Sequence, residues 1–386
     1  MNNTWKVYIL ALVSFLVGTS EYIISGILDT IAASLHISLG AAGQLITIFS
    51  LVYAIGTPIL MALTATLDRR KLMMYALGLF VVGNILSFAL PGYGWFVVAR
   101  IIMALGAGIV VVTALNVASK IAPPGKQASS IATVVMGFTA SLIIGVPIGR
   151  MVAEAFDWRV LFGVIAMLGI LAMVVIFLTI PRLKGDTPIP LLQQFALLKK
   201  PKIAIGLSIT FFWLGGYSIA YTYISPYLLT VSGIAEHLLS TALLLFGIAS
   251  LIGSKFGGYS ADRWGVPTTL IGGMSLHILM LILMSLITNS LVGVLGVLIL
   301  WSFAAWSSGP TLQYHLATIE PGASGVLLGL NQSMMQLAMA AGAGIGGIVV
   351  DRVSLVSISW LGALGVVVAI AAVVASFFTR SNKKTI

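Results

Sequence analysis

Two charged residues stand where charge is costly. Glu21 lies mid-run in VGTSEYII and Arg100 opens RIIMALGAG, each the single charged residue of a long apolar stretch. A charged side chain at the centre of a bilayer costs about 3 kcal/mol on insertion scales unless it is paired or neutralised. Burial favours the protonated carboxyl and a neighbouring cation favours the carboxylate. Glu21 beside an arginine is therefore a group that can load and release a proton. At 1.5 Å per helical residue, Glu21 stands about 10 Å and Arg100 about 8 Å from the external ends of their runs. At those similar depths Arg100 could alternately neutralise and release Glu21. The alternatives are a structural ion pair, or an arginine that snorkels or caps backbone carbonyls.

A second set could bind a ligand. Trp213, Tyr217 and Tyr221 recur at every fourth position of one run, which stacks them on one helical face. Trp301, Trp306 and Gln313 decorate the tenth run, Gln332 and Gln336 the eleventh, and Gln44 and Thr47 the second. Aromatic faces stack on flat rings and amides pair with their polar edges, so the set suits a neutral or aromatic substrate. Membrane aromatics also serve as interface belts and packing groups. His277 and His315 lie in or near spans, as titrating groups or as hydrogen-bonded packing residues.

The elements that position these residues are membrane helices. Of 386 residues, 59% are hydrophobic and 8% charged, against about a quarter charged in soluble domains, and the mean hydropathy is +1.11. Apolar runs near residues 7 to 28, 41 to 65, 72 to 92, 95 to 119, 127 to 149, 160 to 180, 203 to 225, 239 to 257, 267 to 288, 291 to 315, 324 to 349 and 357 to 378 are each long enough to span a bilayer. Their length and uniform apolarity exclude an outer-membrane barrel, whose strands alternate over roughly ten residues. No cleavable leader pattern precedes the first run, which reads as an anchor. The absence of cysteine excludes thiolate catalysis and Cys-ligated metals. No HExxH, G-x-S-x-G, clustered carboxylates or nucleotide-binding loop is present. The chain therefore reads as a non-enzyme without cofactor or metal, driven by an ion gradient instead of ATP.

The net charge of +10 points to topology and not to nucleic acid. Lys6, Arg69, Arg70, Lys71, Lys120, Lys126, Arg182, Lys184, Lys199, Lys200, Lys202, Lys255, Arg263, Arg380, Lys383 and Lys384 fall on one side, while Arg150, Arg159 and Arg352 fall on the other. By the positive-inside rule both termini are cytoplasmic. The polar break PRLKGDTPIPLLQQFALLKKPK divides the spans six and six. This predicts bundles at 1–181 and 203–386 joined by a cytoplasmic linker at 182–202. A single shift lays Gly149 on Gly346 and the turn ATLDRRKL (65–72) on DRWGVPTT (262–269), the internal symmetry of a transporter built from two six-helix repeats.

MGFTASLIIGVPIGR, at 136–150, spends glycines and a proline inside an apolar run. Gly137, Gly145 and Gly149 permit close helix contact, and Pro147 removes a hydrogen bond and kinks the helix. The mirror region with Gly342, Gly344, Gly346 and Gly347 is expected to do the same.

Several motifs together resemble the major facilitator superfamily: GGYSADRWG (257–265) its cytoplasmic loop motif, RIIMALGAG its fourth-helix arginine motif, and 136–150 followed by DWRVLF its fifth-helix antiporter motif. The resemblance implies an all-α integral membrane fold of twelve helices in two pseudo-symmetric six-helix bundles, with the first and fourth helices facing one cavity. It further implies gating by Gly137, Gly145, Pro147, Gly149, Gly258, Asp262 and Arg263. In the first half, Met61 and Ala65 stand where the second has Gly258 and Asp262, a departure for which Asp68 is the available substitute. GTSEY, AAGQLITIFSLVYAI, WSFAAWSSGP and NQSMMQ are similar to bacterial purine-base, nucleoside and sugar efflux pumps of the twelve-spanner drug:proton antiporter branch. The expectation is a monomeric, lipid-embedded, multi-pass antiporter of the cell membrane. Glu21 and Arg100 would couple protons to export of a purine base or nucleoside, with sugar or multidrug efflux as the alternative.

Overall fold

The computed structural model describes residues 4–122, 127–185, 196–288, 290–320 and 324–378. Lys126, Arg380, Lys383, Lys384 and the stretch 186–195 of the expected linker lie outside these residues. Lipid offers no partner to backbone N–H and C=O groups, so apolar runs become helices that satisfy themselves. Among the described residues, twelve helices are long and apolar enough to cross a membrane. They are α1 (Thr4–Gly26), α2 (Leu39–Leu63), α3 (Arg69–Ala89), α4 (Tyr93–Ile121), α5 (Gln127–Ala140, continued through Ser141–Gly145 and Val146–Ala155), α6 (Arg159–Thr179), α7 (Pro201–Tyr221), α8 (Glu236–Trp264), α9 (Val266–Leu286), α10 (Leu291–Ile319), α11 (Ser324–Arg352) and α12 (Ser357–Phe378). Starts are marked by side-chain caps: Asp68 accepts from Lys71 N at 3.0 Å at α3, and Ser290 accepts from Gly293 N at 3.2 Å at α10. One residue, Gly265 at φ 84°, turns the chain from α8 into α9, a backbone conformation that suits glycine.

The chain divides into two compact units, Met1–Ile37 with Ile48–Pro190, and Ser38–Thr47 with Leu191–Ile386. In the first unit α1 packs on α5, and α3 packs on α4 and α6. The α1–α5 contact is a backbone contact. A Cβ at Gly137 would overlap the Ala11 carbonyl, one at Gly145 would overlap Thr19 Oγ1, and one at Gly149 would overlap Ile23. The fifth span bends, by a different device from the one expected. Ser141–Gly145 forms a π-helical turn in which Val146 N bonds to Ser141 O, and Pro147 then sits in the first turn of Val146–Ala155. Proline has no N–H for the carbonyl four residues back and its ring crowds that carbonyl. Widening the preceding turn relieves both problems. The mirror stretch on α11 runs as unbroken helix, because Gly344 stands at the position equivalent to Pro147 and keeps its N–H.

The outer ends of α1 and α5 are fastened by charge. After a break at Ile27, the short helix Leu28–Leu35 carries Asp29 in its first turn. Arg150, with no exposed surface, donates to both Asp29 oxygens at 2.8 Å, to Glu154 Oε1 at 2.8 Å and to Thr30 Oγ1 at 3.1 Å.

In the second unit α7 packs on α11 and α12, α8 on α10, and α9 on α10 and α12. Gly253 and Gly257 of α8 meet the backbone of Phe303 and Ser307 of α10, while a Cβ at Gly258 would meet open space. The close approach expected at Gly258 is therefore made by Gly257, one residue and about 100° around the helix away. Leu substitution separates the two positions. Gly137→Leu is expected to cost about 3 kcal/mol by overpacking and Gly258→Leu no more than about 0.5 kcal/mol. Equal melting temperatures of the purified variants would refute the contact map. At the charged cluster, Asp29→Ala leaves a buried cation without its main partner and is expected to cost about 3 kcal/mol or more. Adding Arg150→Met is expected to recover part of that loss. Denaturation of the two single variants and the double variant measures this, and additive losses would contradict it.

Candidate functional site

The first unit holds a buried charged pair. Gly83 and Gly106 bring α3 and α4 into backbone contact, which sets Arg100 of α4 deep in the unit with no exposed surface. Its Nη1 donates to Ser20 O at 2.9 Å and its Nη2 to Glu21 O at 3.5 Å, while the guanidinium lies 4.1 Å from the centre of the Phe49 ring. The Glu21 side chain is itself buried and attracts the Arg100 charge electrostatically. Ser20 Oγ donates to Asn84 Oδ1 at 3.2 Å, and Asn84 Nδ2 donates to Phe80 O at 2.8 Å, so α1, α3 and α4 are linked at this level. Arg100 thus takes both a carbonyl-capping role and a place beside Glu21, two readings that stood apart in the sequence. Its carbonyl and ring partners hold the cation in place whether the carboxyl is ionised or protonated. The charged cluster of Asp29 and Arg150 was not visible as a site. Arg150 read as an external loop residue, and the spacing of eight between Glu21 and Asp29, with Glu154 four residues after Arg150, was the signal that could have found it.

At one end of the first unit, where the loop motif lacks its Asp and Gly, arginines tie the turn. Arg69 is buried and donates to Ala65 O at 2.9 Å, and its own N–H donates to Leu183 O at 2.9 Å. Arg70 Nη1 reaches Phe177 O at 3.1 Å and Ile180 O at 3.3 Å, the carbonyl end of α6 where a cation is favoured. Asp68 serves as a helix cap. In the second unit Asp262 and Arg263 are exposed, and Arg263 donates to the Tyr259 hydroxyl and lies over that ring.

The second unit gathers the aromatic candidates in one place. Tyr217 stacks on Tyr221 at 5.0 Å between ring centres, Tyr221 stacks on Phe246 at 5.4 Å, and Trp301 lies 5.6 Å from Tyr217 and 5.2 Å from Phe246. Trp306 meets Tyr217 edge-on at 6.0 Å and points its Nε1 at the Tyr217 hydroxyl at 3.4 Å. Trp213 joins the cluster through Gly309, where a Cβ would meet Trp213 at 3.4 Å and Trp306 at 3.9 Å. Helices α7, α8, α9 and α10 all contribute, since His277 of α9 lies 6.3 Å from Tyr217 and 6.2 Å from Trp301. Phe246 was not singled out in the sequence, because one Phe in an apolar run carries no mark. His315 lies apart, 4.6 Å from Phe377.

The amides lie elsewhere. Gln44 and Thr47 belong to the segment Ser38–Thr47 and face Gly344 and Gly347 of α11, where a Cβ at Gly347 would meet Gln44 Nε2 at 3.2 Å and one at Gly344 would meet Thr47 Oγ1 at 3.4 Å. On α11 itself Gln336 is buried and Gln332 is half-buried beside Asn331, which accepts from Thr210 of α7 at 2.8 Å. Asp351 fastens the start of α2 onto the end of α11, accepting from Ser38 Oγ at 2.7 Å and from Gly40 N at 3.0 Å.

This arrangement has known counterparts. The family model described as Major Facilitator Superfamily matches residues 10–319. The uncharacterized MFS-type transporter YbcL of Bacillus subtilis (strain 168) is 74% identical over 372 residues, which cover 96% of this chain and 95% of that protein. The inner membrane transport protein YdhP of Escherichia coli (strain K12) is 30% identical over 351 residues, 91% and 90% of the two chains. Among solved structures, the nucleoside transporter NupG is similar with a TM-score of 0.77 at 15% identity over 97% of this chain and 100% of that one. A D-xylose-proton symporter is similar with a TM-score of 0.77 at 16% identity over 96% of each. At those identities the two structures speak for the fold, while the family match over most of the chain, together with twelve spanning helices, identifies the protein as a multi-pass membrane transporter belonging to the Major Facilitator Superfamily.

Proposed function

We propose that the protein is a proton-coupled antiporter that exports a purine base or nucleoside by alternating access, as a monomer in the cell membrane with both termini cytoplasmic. The observation that carries the coupling is the buried Glu21 beside an Arg100 held by carbonyls and a ring. When Glu21 takes up a proton its attraction for Arg100 lapses, and the guanidinium keeps its other partners, so each loading step leaves no stranded charge. The cation that favours release of the proton is thereby always in reach. The relationship to an inner membrane transport protein supports the membrane assigned.

The substrate class rests on the aromatic cluster of α7 to α10. The described carboxylates of the second unit, Glu236, Asp262, Glu320 and Asp351, lie at or just beyond helix ends, so the rings offer stacking without a counter-ion. That suits a flat neutral ring better than a polycation. Gln44, Thr47, Gln332 and Gln336 would contribute polar selection along α2 and α11. The π turn of α5, with Gly137, Gly145, Pro147 and Gly149 on α1, supports a pliable gating contact. Asp262 and Arg263 would act at the cytoplasmic turn.

The test is transport by the purified protein in vesicles. Hypoxanthine, adenine and guanosine are expected to support saturable counterflow and to raise the melting temperature, and Trp301→Ala or Tyr217→Ala to weaken hypoxanthine binding about tenfold. Glu21→Gln is expected to keep folding and counterflow and to lose at least nine-tenths of pH-gradient-driven uptake into inverted vesicles, because the amide does not titrate. Undiminished driven uptake by that variant would remove Glu21 from the coupling. Counterflow of a sugar or a cationic drug in place of the purines would move the substrate assignment to those classes.

A further inference from the structure

His277 is the polar residue of the aromatic cluster that packing does not explain. It lies on α9 with no exposed surface, edge-on to Tyr217 and tilted against Trp301. Neither Nδ1 nor Nε2 has a hydrogen-bond partner among the described residues. The indole Nε1 atoms of Trp301 and Trp213 share that condition, whereas the Trp306 indole is paired with Tyr217. Ser308 Oγ, also without a partner, faces α9 at Gly273, one turn before His277.

Buried polar atoms are nearly always hydrogen-bonded, and the exceptions need a reason. If His277 only filled space, phenylalanine would fill it without leaving two polar atoms unmatched. A neutral imidazole presents one donor and one acceptor whichever tautomer it adopts. Its complement is a ring edge that carries one acceptor and one donor, such as the lactam edge of a nitrogen heterocycle. Arg and Lys are absent from the cluster's rings and the carboxylates of this unit lie at or beyond helix ends, so the complementary ligand is neutral. Its faces would stack on Tyr217 and Trp301, and the indole N–H groups would serve further acceptors on it.

We propose that His277 reads the hydrogen-bonding edge of the exported ring and so determines which planar heterocycle is accepted. This rests on the aromatic-substrate reading of the same cluster, and deepens it by assigning the polar specificity to α9 instead of to the glutamines of α2 and α11.

The test uses the full-length protein in lipid nanodiscs with hypoxanthine as probe, and compares wild type with His277→Phe and His277→Gln. Phenylalanine is expected to keep or raise the melting temperature without ligand, because unmatched polar atoms leave the core, and to weaken hypoxanthine binding at least tenfold. Glutamine, which retains a donor and an acceptor, is expected to stay within about fivefold of wild type. Hypoxanthine binding by the phenylalanine variant equal to wild type would overturn the proposal and leave the substrate reading intact. A phenylalanine variant that melts lower or does not fold assigns His277 to packing and overturns it too. If the wild type binds neither hypoxanthine, adenine nor guanosine, the substrate reading itself falls, and this inference with it.

Discussion

A guanidinium with no exposed surface must be given acceptors, and Arg100 takes them from the backbone of α1. Unlike a carboxylate, a carbonyl oxygen cannot be neutralised by a proton, so this anchor holds through any titration of Glu21. Much of the first unit follows from the need to bring α1 to that position. Small residues line the α1–α5 contact so that backbones meet, Gly83 and Gly106 do the same for α3 and α4, and Arg150 closes the outer end against Asp29. With lipid as apolar as the side chains, such close contacts and interhelical polar bonds are what drives helices together.

The second unit solves a different problem. Its core residues at α7 to α10 are aromatic and its charges stand at the ends of helices, so stacking and shape, and not Coulomb attraction, dominate there. Helix contacts again rest on glycine, with Gly253 and Gly257 against α10 and Gly216 against Gly362 of α12. The two units thus separate the chemistry of a proton from the chemistry of a ring.

What could be read in advance depended on how local the cause was. Spanning helices follow from run length alone, and the fourfold spacing of Trp213, Tyr217 and Tyr221 sufficed to put them on one face. Glu21 and Arg100 were legible because an isolated charge in an apolar run needs an explanation. Asp29 and Arg150 were not, since each sits near a run's end, where charge is cheap, and only the folded chain shows Arg150 without exposed surface. Gly258 was chosen over Gly257 because a motif names a position, whereas contact depends on the angle around the helix. Proline marked the bend in α5, but how its neighbours absorb the missing bond is settled by packing against α1.

That absorbed bond has a genetic counterpart. The π turn at Ser141–Gly145 carries one residue more than an α-helical turn. Loss of a single codon within it would restore regular helix and close the gap in the hydrogen-bond ladder, an apparent repair. It would also rotate everything beyond by about 100°, carrying Gly149 off Ile23 and Arg150 off Asp29. In this stretch an in-frame deletion is equivalent to a charge mutation, and the residue that looks surplus sets the register of the whole outer half of α5.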